Sequence, residues 1–425
     1  MMAAAGRAEN LIRKHGSPQQ TTLLELFFDL AFIFVIQRIA LRITERLSRP
    51  GVAGGWHAFP AAGKTLLLLM PLTWVWTLAA WTTAKYDPRR LPVQAVIITA
   101  MFGVLIMSAG LPAAFRGGGL AFVVPYVVIQ TGRAAVVMII LRGHELARTA
   151  ARELVWFTLS GLLWITGALT HGGTRVTLWV CGAATDFLAA RIGWPVPRLG
   201  SLRVTAWAVA GAHLADRYRQ FLLIALGESV VALALEYTRG LYDVEPTVAF
   251  VIGFATTVLL WRIYFYRTGQ TLGDAIAASE NPEHLGRVAA LAHWIMILGI
   301  IITAVGYELV IPHPLGDTMP GWAAVILGGP ALYVAGRAHF EYVAFALVSR
   351  PRVVGVVILV LAAPLMVPLP PVLVSLIAAL VLAGIAAADA ARARGRPPEA
   401  PSPPRRMVRK QSISPRGGDR GCDGG

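Results

Sequence analysis

The sequence predicts an all-α fold, a polytopic transmembrane helical bundle of about twelve spans. Three observations predict it. Hydrophobic residues make up 56% of the 425-residue chain and charged residues 14%. With a mean hydropathy of +0.62, this composition lies outside the range of soluble domains. Apolar stretches of roughly 20 residues, enough for a hydrocarbon core about 30 Å thick, recur along nearly the whole chain. The cations between them gather in alternate loops, as the positive-inside rule requires of a chain that crosses a bilayer repeatedly.

In chain order, the first span, Leu23–Leu41, opens on two carboxylates and is otherwise mostly apolar. Ala61–Thr83 follows and becomes rich in tryptophan. Pro92–Phe115, Ala121–Leu141 and Leu154–Thr170 are spans by hydropathy, whereas Val176–Ala190 is short. Gln220–Leu235 carries Glu228 inside it. Thr247–Tyr266, Val288–Val310 and Gly321–Val348 are again long. Val353–Val367 is short, so a count of about ten or eleven is also compatible with the pattern. Val372–Ala388 is the last span. Four segments result: a cytoplasmic N-terminal stretch (1–22), a first transmembrane half (23–192), a second half (193–389) and a basic tail (390–425). The tail is rich in Arg, Pro, Ser and Gly and is expected to be disordered.

Counted over this layout, Lys and Arg number about eighteen in the N-terminal segment and even-numbered loops, and about seven in the odd-numbered loops. Both termini are therefore expected on the cytoplasmic side of the cell membrane. The first loop runs against the bias through Arg42, Arg46, Arg49 and Lys64. A first helix continuing to Arg46, with its long cations reaching toward headgroups, would account for that. The formal charge of +15 falls mainly in loops and tail, where anionic lipid is a nearer partner than nucleic acid. Two cysteines, Cys181 and Cys422, exclude a disulfide framework or a thiolate metal cluster. The N-terminal residues have no short apolar core ahead of a small-residue cleavage site, so the first hydrophobic run is expected to be retained.

A faint internal repeat relates the halves. ELFFDLAFIFVIQRIA (25–40) lies on DRYRQFLLIALGESVV (216–231), setting Gln37 opposite Glu228. Trp76 matches Trp261, Gly103 matches Gly299, Gly110 matches Gly306, and Gly132-Arg133 matches Gly336-Arg337. The pairs keep their order, which suits two six-helix halves inserted in parallel.

Some of these blocks also resemble a known family. ELFFDLAFIF, the Trp-rich second span ending WTTAKYD, HLADR before LLIALGESVVAL, and AHWIMILGIIITAVG are together similar to the bacterial low-temperature-requirement A proteins. The resemblance covers roughly Leu23 to Leu347. It implies a multi-pass membrane protein. The family is named for a cold-growth phenotype and has no settled biochemical activity, so the resemblance implies architecture more than mechanism. The chain departs from the pattern where Ala84-Lys85 stand ahead of Tyr86-Asp87, because the family usually has Asn before the aromatic residue and Asp. The Phe-Phe-Asp opening is also similar to the Phe-Ser-Asp signature of a lysosomal and bacterial potassium-channel family built of two six-helix repeats.

Ionisable residues at bilayer depth are the candidates for function. Glu25 and Asp29 are one helical turn apart, and Ile36 and Gln37 continue their stripe. A central carboxylate facing lipid costs about 2.5–3.5 kcal/mol even on the lenient scale, so the stripe must face protein or water. It reads as a cation or proton path, with Asp29 the deeper site. The structural alternative has Glu25 stabilising the helix start and Asp29 paired with an internal arginine. Glu228, flanked by Gly227 and Ser229, reads as a cation or proton site or as half of an ion pair with Arg133, Arg262 or Arg337. Arg133 and Arg337 fall at matched positions and are expected to neutralise Asp29 and Glu228. A local Arg337–Glu341 pair would share that charge. His213 and Asp216, beside Arg217, read as a gate or relay or as a solvated helix start. His293 reads as a relay or a satisfied core histidine, and Asp186 carries the same ambiguity.

No His-Glu-x-x-His motif, phosphate loop or Gly-x-Ser-x-Gly elbow occurs, so neither a cofactor, a metal nor an enzyme activity is expected. The sequence points to a membrane protein that moves a small cation or protons between two helical halves. The alternatives are a membrane scaffold or lipid- or stress-sensing protein working through its basic tail, and an intramembrane enzyme.

Overall fold

A computed structural model describes residues 11–13, 20–48, 58–200, 211–240, 242–266 and 282–394. Among them are twelve α-helices and no sheet. They are α1 Leu23–Leu47, α2 Ala58–Lys85, α3 Leu91–Gly110, α4 Gly119–Ile140, α5 Glu145–Leu169, α6 Gly172–Arg191, α7 Gly211–Thr238, α8 Val244–Phe265, α9 Pro282–Val310, α10 Pro320–Phe345, α11 Arg350–Leu365 and α12 Pro371–Ala393. Each coincides with one hydrophobic segment of the sequence. Seven helices (α2, α3, α4, α7, α8, α9 and α12) are long and apolar enough to cross a membrane by length and composition. In the other five, internal charges, glycines and tryptophans, or the 16-residue length of α11, lower the apolar content.

The helix ends differ from the hydropathy boundaries where polar residues continue the backbone hydrogen bonding. Helix α1 runs past Leu41 to Leu47 with Arg46 in its last turn, as the continued-helix reading anticipated. Helix α7 begins at Gly211, well ahead of Gln220, so the HLADR block is helical. Helix α10 stops at Phe345 because Ala346 adopts the left-handed conformation (φ 58°) that caps a helix. Helix α12 continues beyond Ala388 to Ala393. The tail from residue 395 and Arg49 lie outside the described residues.

Buried apolar residues run continuously through the bundle. Its centre is aromatic: Trp76 of α2 stacks on Phe221 of α7 (4.4 Å between centroids) and meets Trp294 of α9 edge-on at 5.7 Å. Phe32 of α1 packs on Phe221 at 5.4 Å. Helices α9 and α10 approach most closely through glycine. A Cβ at Gly299 would sit 2.5 Å from the backbone N of Tyr333, and one at Gly329 would sit 2.6 Å from that of Thr303. Small residues at these crossings let the backbones touch, which is how helices associate where lipid removes the hydrophobic drive.

Candidate functional site

The first turns of α1 and α7 bring their charges together. Glu25 and Asp29, one turn apart, present one face toward α7, whose early extension places His213 and Arg217 opposite them. The Arg217 fork grips Asp29 bidentately: Nη1 donates to Oδ2 and Nη2 to Oδ1, both at 2.8 Å. Trp76 Nε1 donates a third bond to Asp29 Oδ1 at 2.8 Å, and the Arg217 guanidinium lies 5.5 Å from the Trp76 ring centroid. Glu25 Oε2 accepts the backbone N–H and the hydroxyl of Thr22, both at 2.8 Å. Its Oε1 lies 2.9 Å from His213 Nε2 and 3.8 Å from Arg217 Nε. All four charged or titratable side chains are 1% exposed or less. Just above them, Asp216 holds the chain entering α1, accepting the Thr21 N–H at 3.0 Å and its hydroxyl at 2.8 Å.

This arrangement alters several expectations. Asp29 is matched by Arg217, and not by Arg133, Arg337 or Arg262. Arg133 instead pairs with Glu153 of α5 at 3.0 Å, Arg337 Nε donates to the Ile263 carbonyl at 3.4 Å, and Arg262 lies over the Tyr266 ring. Glu341 meets Arg352 of α11 at 2.5 Å and also lies within Coulombic reach of Arg337, so the locally expected partner shares it with a second arginine. Glu25 does hold the start of α1 through Thr22, as the structural alternative had it, and His213 and Arg217 of α7 are buried against it and Asp29, where a solvated helix start was the alternative. Gln37 is half-buried, away from any hydrogen-bond partner among the described residues. His293 is a satisfied core histidine: its Nε2 meets the Tyr264 hydroxyl at 2.8 Å and its Nδ1 the Ala289 carbonyl at 2.7 Å. Asp186 accepts from the Tyr126 hydroxyl at 2.6 Å and from Trp164 Nε1 at 3.1 Å.

Glu228 stands apart from all of these. It is 1% exposed, and neither carboxylate oxygen has a hydrogen-bond partner among the described residues. Its electrostatic neighbour is another acid, Glu308, near the end of α9. Glu308 receives a hydrogen bond from the Thr44 hydroxyl of α1 and lies within Coulombic reach of Glu236 in the last turns of α7. Exposure rises along this series, from Glu228 to Glu308 at 8% to Glu236, whose side chain is 12% exposed and paired with Arg239. Three acids thus lead from inside the bundle to the end where α1 and α7 finish. Sequence reasoning missed Glu308, which sits in the apolar run AVGYELV near a helix end and resembles an interfacial residue. The i, i+8 spacing of Glu228 and Glu236 on one face of α7 was the available signal. Among the described residues no three His, Cys, Asp or Glu converge as metal ligands.

The sequence profile described as bacterial low temperature requirement A protein (LtrA) matches residues 20–387. An uncharacterized protein of Rhizobium meliloti (strain 1021) is 31% identical over 353 residues, covering 82% of this chain and 84% of that protein. No solved structure matches the chain.

Proposed function

The chain belongs to the bacterial low temperature requirement A protein family, and from that premise we propose that it conducts a small cation or protons across the cell membrane. The path runs between two six-helix halves, with both termini in the cytoplasm. The observation that carries this reading is Glu228: a buried carboxylate with no hydrogen-bond or ion-pair partner among the described residues, at the inner end of a series of acids. An isolated intramembrane charge is too costly to persist alone, so Glu228 holds a proton or a cation, and Glu308 and Glu236 offer either one a route to the surface. At the opposite end, the Asp29–Arg217 pair and the Trp76–Phe221 stack close the path. A saturated bidentate pair among aromatic rings leaves an ion no ligand to replace its hydration.

The duplicated architecture is supported by the neighbours each helix keeps. Helix α1 packs on α2 and α3, α2 on α6, and α3 through α6 in series. In the second half α7 packs on α8 and α9, α8 on α12, and α9 through α12 in series. Helices α1 and α7 start at the same end, through the Thr21–Asp216 and Asp29–Arg217 contacts, as parallel repeats do.

Proteoliposome flux, read with a pH dye and a panel of monovalent cations, tests the proposal. Glu228→Gln is expected to reach the membrane at the parent level and to lose at least about 90% of the flux, the effect of removing the group a transport step depends on. Glu308→Gln should slow flux less severely. Parent-like flux in Glu228→Gln would remove the assignment.

A further inference from the structure

We propose that the end of the bundle where α1 finishes holds an anionic membrane phospholipid, its phosphate among arginines and an acyl chain in the adjoining cavity. That cavity measures about 440 Å³ and is walled by apolar side chains of α1, α2, α9 and α10, among them Ile39, Ile43, Leu69, Leu298, Ile302 and Val325. This is the size of pockets that enclose whole small ligands. Arg42 and Arg46 stand at its edge. The same two arginines line a small polar niche with Arg38 and Arg116, where four guanidinium groups face one carboxylate, Glu45. The niche and the cavity therefore share a wall, with a cationic side and an apolar side.

The niche is built rather than incidental. Arg42 is 8% exposed, and its Nη1 donates to the Leu111 and Pro112 carbonyls at 3.2 and 3.3 Å. Arg42 and Lys64 both lie over the Phe115 ring, 5.8 and 5.5 Å from its centroid. Buried Nε atoms of Arg38 and Arg42 have no hydrogen-bond acceptor among the described residues. Like charges held this close repel unless an anion sits among them, and guanidinium forks suit phosphate oxygens. A free phosphate would satisfy the niche but leave the apolar cavity without a role, whereas a phospholipid fits both. The site also accounts for Arg42 and Arg46, two of the cations that break the loop-charge bias: they line the niche and would serve a headgroup, so they need not act as topology signals.

The test uses the purified full chain in a neutral detergent and follows thermal unfolding with phosphatidylglycerol, phosphatidylcholine or inorganic phosphate added. Phosphatidylglycerol is expected to raise the unfolding temperature by several degrees, with little change from the other two. Two variants separate headgroup from tail. Arg46→Gln with Arg116→Gln removes exposed niche cations. Gly328→Phe, at a position where a Cβ meets open space, puts a ring into the cavity. Each should abolish most of the rise. Lipid co-purifying with the parent should be enriched in phosphatidylglycerol over the host membrane. An equal rise with phosphatidylcholine or with phosphate alone, a rise that survives either variant, or co-purified lipid matching the host would overturn the proposal. The readout is stability, so its failure and that of the transport reading are independent.

Discussion

Asp29 and Glu228 are both acids buried in helices that start at the same end of the bundle, yet their surroundings give them opposite characters. Asp29 takes three charge-assisted hydrogen bonds from Arg217 and Trp76, so removing its charge leaves a buried guanidinium short of its partner. Asp29→Asn should therefore cost about 3–5 kcal/mol, measured by thermal or denaturant unfolding in detergent. The pair replaced together, Asp29→Leu with Arg217→Met, should recover most of that loss, because a well-packed apolar pair can match a buried ion pair. Trp76→Phe should cost about 1.5–3 kcal/mol, the range for a hydrogen bond to a charged group. Glu228→Gln makes the contrast, since no cation among the described residues pairs with it, and its stability should stay close to the parent's. From the sequence, the acids were legible as charges that cannot face lipid. Their partners were not, because Arg217 lies 188 residues from Asp29 and sat in what read as a solvated helix start.

The elements were legible to within a few residues, and the departures follow from what hydropathy measures. It registers apolar side chains, so it ended α1 at Leu41 and began α7 at Gln220, whereas backbone hydrogen bonding carries both helices through charged turns. The charged turns of α7 and α1 are the ones that build the acid–base cluster, so the least hydropathic stretches matter most here. The glycine pairs matched by the repeat also differ in weight. At Gly299 a side chain would strike the Tyr333 backbone, which cannot move without its helix, whereas at Gly103 it would meet the flexible end of Ile129. Gly299→Ala is thus expected to destabilise by about 1–3 kcal/mol, the usual range for overpacking. Gly103→Ala should cost clearly less in the same unfolding measurement.

On the scale of the whole molecule, the halves echo each other in neighbour order but not in chemistry. The α4–α5 corner is closed by Arg133 with Glu153, and the α10–α11 corner by Glu341 with Arg352, the signs exchanged. In the first half, Asp186 takes hydrogen bonds from Tyr126 and Trp164, whereas in the second half neither oxygen of Glu228 has a hydrogen-bond partner among the described residues. The topology proposed from loop charge can be checked by thiol labelling in intact cells, in a background with Cys181 and Cys422 replaced by serine. Gly173→Cys, in the first turn of α6, should react with a membrane-impermeant reagent. Arg142→Cys, in the turn between α4 and α5, should react only after permeabilisation. The reverse pattern would place both termini outside.

By itself the sequence determined that this chain is a helical membrane protein, roughly where its helices lie, and that certain acids must look inward. It could do so because the cost of apolar or charged surface in lipid depends on residue type and depth alone. Only the tertiary structure decided which cation answers which acid, which acid is left unanswered, and where arginines and an apolar cavity share a wall. Those outcomes depend on the rotation and depth at which helices far apart in the chain come together, and hydrophobic periodicity carries no record of either.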